Sequence, residues 1–158
     1  MKNEDIQKKT ILVIEDDLPL QEAIKMKLGL CGFSVLTSRS VENAFGVTFN
    51  SDLVSEKPIQ ENSIKSALAY LEILENINAI WLDHNLIGKE DGLDFIVKFK
   101  ANGGKYATLP IFVVSNSENT ELIKTYAEIG VTHYYLKAEH KLADIIADIK
   151  MTLDDPLV

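Results

Sequence analysis

Cysteine is almost missing from these 158 residues. Cys31 stands alone, so neither an internal disulfide framework nor a cysteine-rich metal site can form within the chain. Long apolar runs are missing too: no stretch approaches the ~18 residues that a membrane-spanning helix needs. The opening MKNEDIQKKT carries no apolar signal region. Positive charge is scarce, with 16 Lys and Arg against 24 Asp and Glu and a net charge of −8. That balance disfavours unaided binding to nucleic-acid phosphates or to an anionic membrane surface. A soluble cytoplasmic protein, with no direct nucleic-acid or membrane partner, is the expectation.

What remains is ordinary globular material. Apolar residues make up 46% and charged residues 25% of the chain, and its length suits one domain with a sizeable core. Short apolar, β-branched runs alternate with helical patterns. TILVI (Thr10 to Ile14) reads as a strand buried on both faces. Pro19 then suits a helix start, Leu20, Ile24 and Leu28 repeat at helical spacing, and Gly32 closes the helix. FSVLTS, AIWLD (Ala79 to Asp83), PIFVVS (Pro110 to Ser115) and HYYLK (His133 to Lys137) read as four further strands. A helix striped by Leu93, Ile96 and Val97 ends at NGG, another stops at Gly130, and Leu142, Ile145, Ile146, Ile149 and Leu153 stripe the last. Such alternation predicts an α/β fold, a parallel sheet covered by helices on both faces. A polar extension over 1–9, one domain over 10–153 and a tail over 154–158 follow. Residues 39–61 contain turn formers without a clear period and read as an insertion between the second and third strands. Helix starts are available on either side of it, at Ser40 and at Asn62 or Ser63.

The chemistry is concentrated at strand ends. Glu15 and Asp16 follow the first strand, with Asp17 beside them; Asp83 ends the third, Ser115 the fourth and Lys137 the fifth. In a doubly wound sheet, ligands bind outside the carboxyl ends of the strands. Crowded carboxylates repel one another and are costly to bury. They become tolerable around a hard divalent cation, and Mg2+ needs only two or three carboxylates and a carbonyl because it keeps several waters. Asp17 reads as a solvated loop acid. His84, His133 and His140 form no metal cluster and read as surface or packing residues. A lone strand-end lysine is usually a surface charge and a lone Ser115 or Ser117 a helix cap; it is the agreement of four strand ends that favours a site.

ILVIEDD, WLDHNLIGKEDGLDF, LPIFVVSNS and GVTHYYLKA, in that order and at those strand ends, resemble the receiver domain of bacterial two-component response regulators, in particular single-domain chemotaxis-type regulators. The resemblance covers Thr10 to about Leu153 apart from the insertion. It implies a flavodoxin-like, five-stranded parallel sheet in the order 2-1-3-4-5. It further implies that Asp83 accepts a phosphoryl group from a histidine kinase or a histidine phosphotransfer protein. Glu15 and Asp16 would hold Mg2+ with Asp83 and the backbone carbonyl of Asn85, Asp16 being the favoured direct ligand. Lys137 would pair with one phosphoryl oxygen and the Ser115 hydroxyl would donate to another. Tyr134, three residues before the lysine, matches the family's switch aromatic, with Tyr135 on the opposite, core face. Helix 4, strand 5 and helix 5 would form the face for a downstream protein target. The chain would catalyse only its own phosphorylation and dephosphorylation, and an end at LDDPLV, unless the chain is part of a longer protein, would leave no room for a DNA-binding output domain.

The sequence also departs from the family pattern. Ala138 replaces the usual proline after the lysine, and Ile87 stands where a proline is common after the phosphoacceptor. The loop from Asp83 to Gly92 is one residue longer than usual. Asn116 is larger than the small residue preferred after Ser115, and would restrict access. These departures motivate an alternative: a receiver-like interaction module that works without phosphate. An enzyme is a poorer reading. A haloacid-type phosphatase would place an acid two residues after its nucleophile, where this chain has Asn85, and EDD after the first strand would repel a flavin phosphate.

Overall fold

The computed structural model describes residues 7–40, 77–101 and 103–155. Five strands, β1 (Thr10–Ile14), β2 (Ser34–Ser38), β3 (Ile77–Leu82), β4 (Ile111–Ser115) and β5 (His133–Leu136), form one parallel sheet in the order β2-β1-β3-β4-β5. Among the described residues the helices are α1 (Leu18–Leu30), α2 (Gly92–Ala101), α3 (Lys105–Thr108), α4 (Thr120–Glu128) and α5 (Leu142–Asp154). The expected strand order and fold class are therefore observed. Of the expected insertion over 39–61, only Arg39 and Ser40 fall among the described residues, and both helix starts beyond Ser40 lie outside them.

The central strands are continuous apolar runs because both sheet faces are covered. Side chains alternate across the sheet, and they separate cleanly into two cores. Leu12, Ile14, Ile80, Leu82 and Val113 meet Phe95, Ile96 and Phe99 of α2 and Tyr126 of α4. Ile11, Val13, Trp81, Phe112 and Val114 meet Ile24 and Leu28 of α1 and Ile145, Ile146 and Ile149 of α5. Tyr134 packs on the first core and Tyr135 on the second, as the alternation requires. Tyr135 reaches the Asp148 carboxylate from there, its hydroxyl donating at 2.8 Å.

Local chemistry sets the helix ends that frame the site. Asp17 is not merely a solvated acid: it is the N-cap of α1, its Oδ1 accepting from the Leu20 amide at 3.0 Å, with a proline in the first turn. Asp91 and Asp94 form a reciprocal pair at the start of α2, each carboxylate accepting from the other's amide at 3.0 and 2.9 Å. Asn119 caps α4 at the Leu122 amide, so neither Ser115 nor Ser117 has that task. The short α3 follows the glycine pair of NGG, so the chain turns helical again directly after the helix stop. At both of those glycines, Gly103 and Gly104, φ is positive (66° and 58°), which reverses the chain in a way other residues resist. Among the described residues, no helix is long and apolar enough to cross a membrane.

Candidate functional site

Parallel strands ending at one edge bring Glu15, Asp83, Ser115 and Lys137 together although they are far apart in sequence. Glu15 and Ser115 are fully buried and Asp83 nearly so, at 4% exposure. The Lys137 ammonium donates to Glu15 Oε2 at 3.0 Å and to Asp83 Oδ2 at 3.1 Å, one cation held between two carboxylates. Oxygen atoms of Glu15, Asp16 and Asp83 all lie within 4.8 Å of one another.

The electrostatics follow from that crowding. Burial, and after it the charge of Asp83, pushes the Glu15 carboxyl up to about 7 against the pull of Lys137. Burial also raises Asp83, again opposed by Lys137. Burial by itself would lower Lys137, but the two carboxylates outweigh it and hold the ammonium above its ordinary value. One lysine is thus insufficient compensation for this set of acids. The donors are hard oxygens in close convergence and are short of positive charge, so Glu15, Asp16 and Asp83 fit a divalent cation such as Mg2+ or Mn2+.

Main-chain ties fix the acidic end of β1. The Glu15 amide donates to the Ser38 carbonyl at 3.0 Å, and the buried Gln21 amide bridges the Glu15 and Ser38 carbonyls at 2.9 and 3.1 Å. Arg39 clamps the next residue, donating from Nη2 and Nε to the Asp16 carbonyl at 3.1 and 3.3 Å. Ser40 forms a parallel bridge with Ile87, so the segment leaving β2 touches both the acidic loop and the loop after Asp83. The residues Gln21 and Arg39 were not singled out in the sequence; a polar residue amid the apolar positions of α1 was the only available hint of Gln21.

The β4–β5 side has its own backbone tie, the Lys137 amide donating to the Ser115 carbonyl at 2.9 Å, and adds side-chain hydroxyls to it. Ser115 Oγ accepts from the Ser117 amide at 3.1 Å. The Ser117 carbonyl accepts from the Tyr134 hydroxyl at 2.8 Å, and the Tyr134 ring lies 5.6 Å from that of Tyr126. Tyr134 is thus half-buried against α4. Asn85 and Asn116 are both exposed beside the site. The Asn85 amide donates to Asp83 Oδ1 at 3.3 Å, which orients the carboxylate and brings the following backbone close to it. His84 is more than a packing residue: its Nδ1 is 2.7 Å from the Tyr126 hydroxyl.

No family model matches the chain. A cyclic di-GMP phosphodiesterase of Thermotoga maritima is 27% identical over 128 residues, which is 81% of this chain and only 27% of that protein. Solved structures resemble the whole fold. The non-phosphorylated HemR receiver domain of Leptospira biflexa matches with a TM-score of 0.69 and 16% identity, over 93% of this chain and 95% of its own. The Mn2+-bound form of response regulator Rcp1 matches at 0.68 and 19% identity, over 93% and 96%. The phosphorylated cyanobacterial phytochrome response regulator RcpA matches at 0.66 and 21% identity, over 92% and 91%. The chain therefore has the receiver fold seen in response regulators.

Proposed function

We propose that this protein is a phosphorylation-controlled signalling switch in which Asp83 is the phosphoacceptor. The observation that carries this reading is the buried constellation of Asp83, Glu15 and Lys137, with Asp16 beside it, at the strand ends of a receiver fold. The nearly buried Asp83 carboxylate is oriented by the Asn85 amide, and an oxygen of it attacks the phosphorus of a phosphohistidine. The new oxygen–phosphorus bond forms as the nitrogen–phosphorus bond breaks, and the electron pair leaves with the imidazole nitrogen, which takes up a proton. Lys137 exchanges one carboxylate partner for a phosphoryl oxygen, and the Ser115 hydroxyl, which accepts from the Ser117 amide, donates its own proton to another. Glu15 and Asp16, with Asp83 and the Asn85 carbonyl, would hold Mg2+. When bound, that ion would neutralise charge on the transferring phosphoryl group.

The donor would be a histidine kinase or a histidine phosphotransfer protein, and the site a cytoplasmic one. No catalysis on any further substrate is assigned. Output would pass through the face of α4, β5 and α5, where Tyr134 and neighbouring parts of Thr120 to Ile129 lie. A two-state exchange biased by phosphate is the physical basis.

The test is incubation with acetyl phosphate and Mg2+, followed by intact mass. One phosphoryl group per chain is expected, none in Asp83→Asn, and none in Asp16→Ala or after chelation of the metal. Unchanged labelling of Asp83→Asn would refute the assignment. Absence of labelling in the unmodified protein would favour the phosphate-independent interaction module suggested by Ala138 and Asn116.

A further inference from the structure

Tyr126 is a fully buried tyrosine of α4 whose hydroxyl needs a partner. The partner it has, at 2.7 Å, is Nδ1 of His84, the residue that follows the phosphoacceptor. The two rings meet edge to face with centroids 5.7 Å apart. Asp91, at the start of α2, lies 3.9 Å from His84 Nε2 and favours the tautomer with its proton there. Nδ1 is then left to accept from the Tyr126 hydroxyl.

Space for this contact is provided by Gly92. A Cβ at that position would lie 2.9 Å from the Tyr126 hydroxyl, 2.7 Å from the Asp83 carbonyl oxygen and 3.0 Å from His84 Cα. The Gly92 amide also donates to the His84 carbonyl at 2.9 Å. Tyr126, His84, Gly92 and the end of β3 are therefore one packed unit, and the Tyr126 ring continues it to Tyr134.

We propose that Tyr126 is a positioning residue of the phosphoacceptor strand, acting through His84 so that events at Asp83 reach α4 by a route that bypasses Ser115. The proposal rests on the reading of Asp83 as phosphoacceptor. The Ser115 route pulls on the loop ahead of α4 through Ser117 and Tyr134. The His84 route grips α4 itself, at a residue in its last turn. A shift of the β3 end on phosphorylation must move α4 with it or break a buried hydrogen bond, and a buried hydroxyl without a partner is destabilised. Both routes converge on Tyr134, which makes its response depend on both ends of the site.

Two single variants and their combination test this. Tyr126→Phe keeps the buried ring and removes only the hydroxyl; His84→Leu removes the same bond from a half-buried position, and serves if the first does not fold. Amide exchange over Thr120 to Ile129 is measured with and without beryllofluoride and Mg2+, alongside phosphoryl incorporation by intact mass. The change in exchange over α4 is expected to fall to about half or less in each variant, and no further in the double variant, because both remove one interaction. The change at Ser115 to Ser117 is expected to persist. A full change over α4 in both single variants, or additive losses in the double, overturns the proposal while leaving Asp83 as phosphoacceptor. Failure of the unmodified chain to take up phosphate overturns the phosphoacceptor reading, and the proposal with it.

Discussion

The two flanks of the acidic site share a backbone tie at the strand end, Glu15 amide to Ser38 carbonyl on one and Lys137 amide to Ser115 carbonyl on the other, and differ in what is added to it. On the β1–β2 flank, Glu15 and Asp16 are fixed through backbone atoms, by the Ser38 carbonyl, the buried Gln21 amide and the Arg39 guanidinium. On the β4–β5 flank, Ser115, Ser117 and Tyr134 are joined by a serine and a tyrosine hydroxyl. The Glu15 amide can leave its carbonyl partner only by moving the strand, and the bridging Gln21 side chain is buried, whereas a hydroxyl rotates and exchanges partners at little cost. The first flank is suited to presenting ligands at constant positions and the second to registering that a new anion has arrived. The proposed switch would require both, because a site that moves throughout cannot bias one arrangement over another.

The largest effect is expected where the flanks join. Gly92→Ala places a methyl group 2.7 Å from the Asp83 carbonyl oxygen, a backbone atom that cannot swing aside. Stability should fall by ~1–3 kcal/mol in urea titrations, with a loss of any phosphoryl incorporation at Asp83, since the end of β3 itself is pushed. Gln21→Leu attacks only the fixed flank. It removes the bridging donor from the Glu15 and Ser38 carbonyls and should cost ~1–3 kcal/mol together with weaker Mg2+ binding by calorimetry. Unchanged Mg2+ affinity in a folded Gln21→Leu protein would show that the ligands do not depend on this bridge.

A third expectation sharpens the role of the cation. The Glu15 carboxyl is raised from 4.5 to about 7 in the folded state, so the folded protein holds this proton more tightly than the unfolded chain. Metal-free stability should therefore fall as pH rises from about 4.5 towards 7, by an amount on the order of 1–2 kcal/mol. Saturating Mg2+ should flatten the decline, and Glu15→Gln should remove the share due to Glu15, leaving that of the likewise raised Asp83. Urea midpoints across that range, with and without the ion, measure this directly. On the β4–β5 flank the effects are smaller. Tyr134→Phe should cost ~1 kcal/mol or less, by removing one hydrogen bond to the Ser117 carbonyl, while leaving Mg2+ affinity alone. Asn116→Ala should speed labelling by acetyl phosphate roughly two- to threefold, less than about 1 kcal/mol in the barrier, by opening the approach to the site. Equal or slower labelling would remove the steric role given to Asn116.

How much of this was readable in the sequence differs along the same divide. Strand-end residues were legible because each follows a short apolar run: ILVI before Glu15, AIWL before Asp83, FVV before Ser115 and YYL before Lys137. The parallel order and the two-faced core follow from the alternation of strands with helices. The supports were not legible. Gln21 looks like any polar residue of a surface helix until the β2 carbonyl is seen above it. The partners His84 and Tyr126 are 42 positions apart, and no local pattern announces their contact. Asp17 was readable in principle, since an acid just before Leu18 and Pro19 is a cap signal, but beside two neighbouring acids it reads as one more solvated loop acid. The four-residue α3 is too short to show a helical period.

Amide exchange with and without beryllofluoride and Mg2+ compares the two flanks in one measurement. Peptides spanning Asn116 to Leu136, which hold Ser117, Tyr126 and Tyr134, are expected to change clearly, while those spanning Leu18 to Arg39 remain as they were. Changes confined to the β1–β2 flank and the acidic loop, with none near Tyr134, would contradict the account.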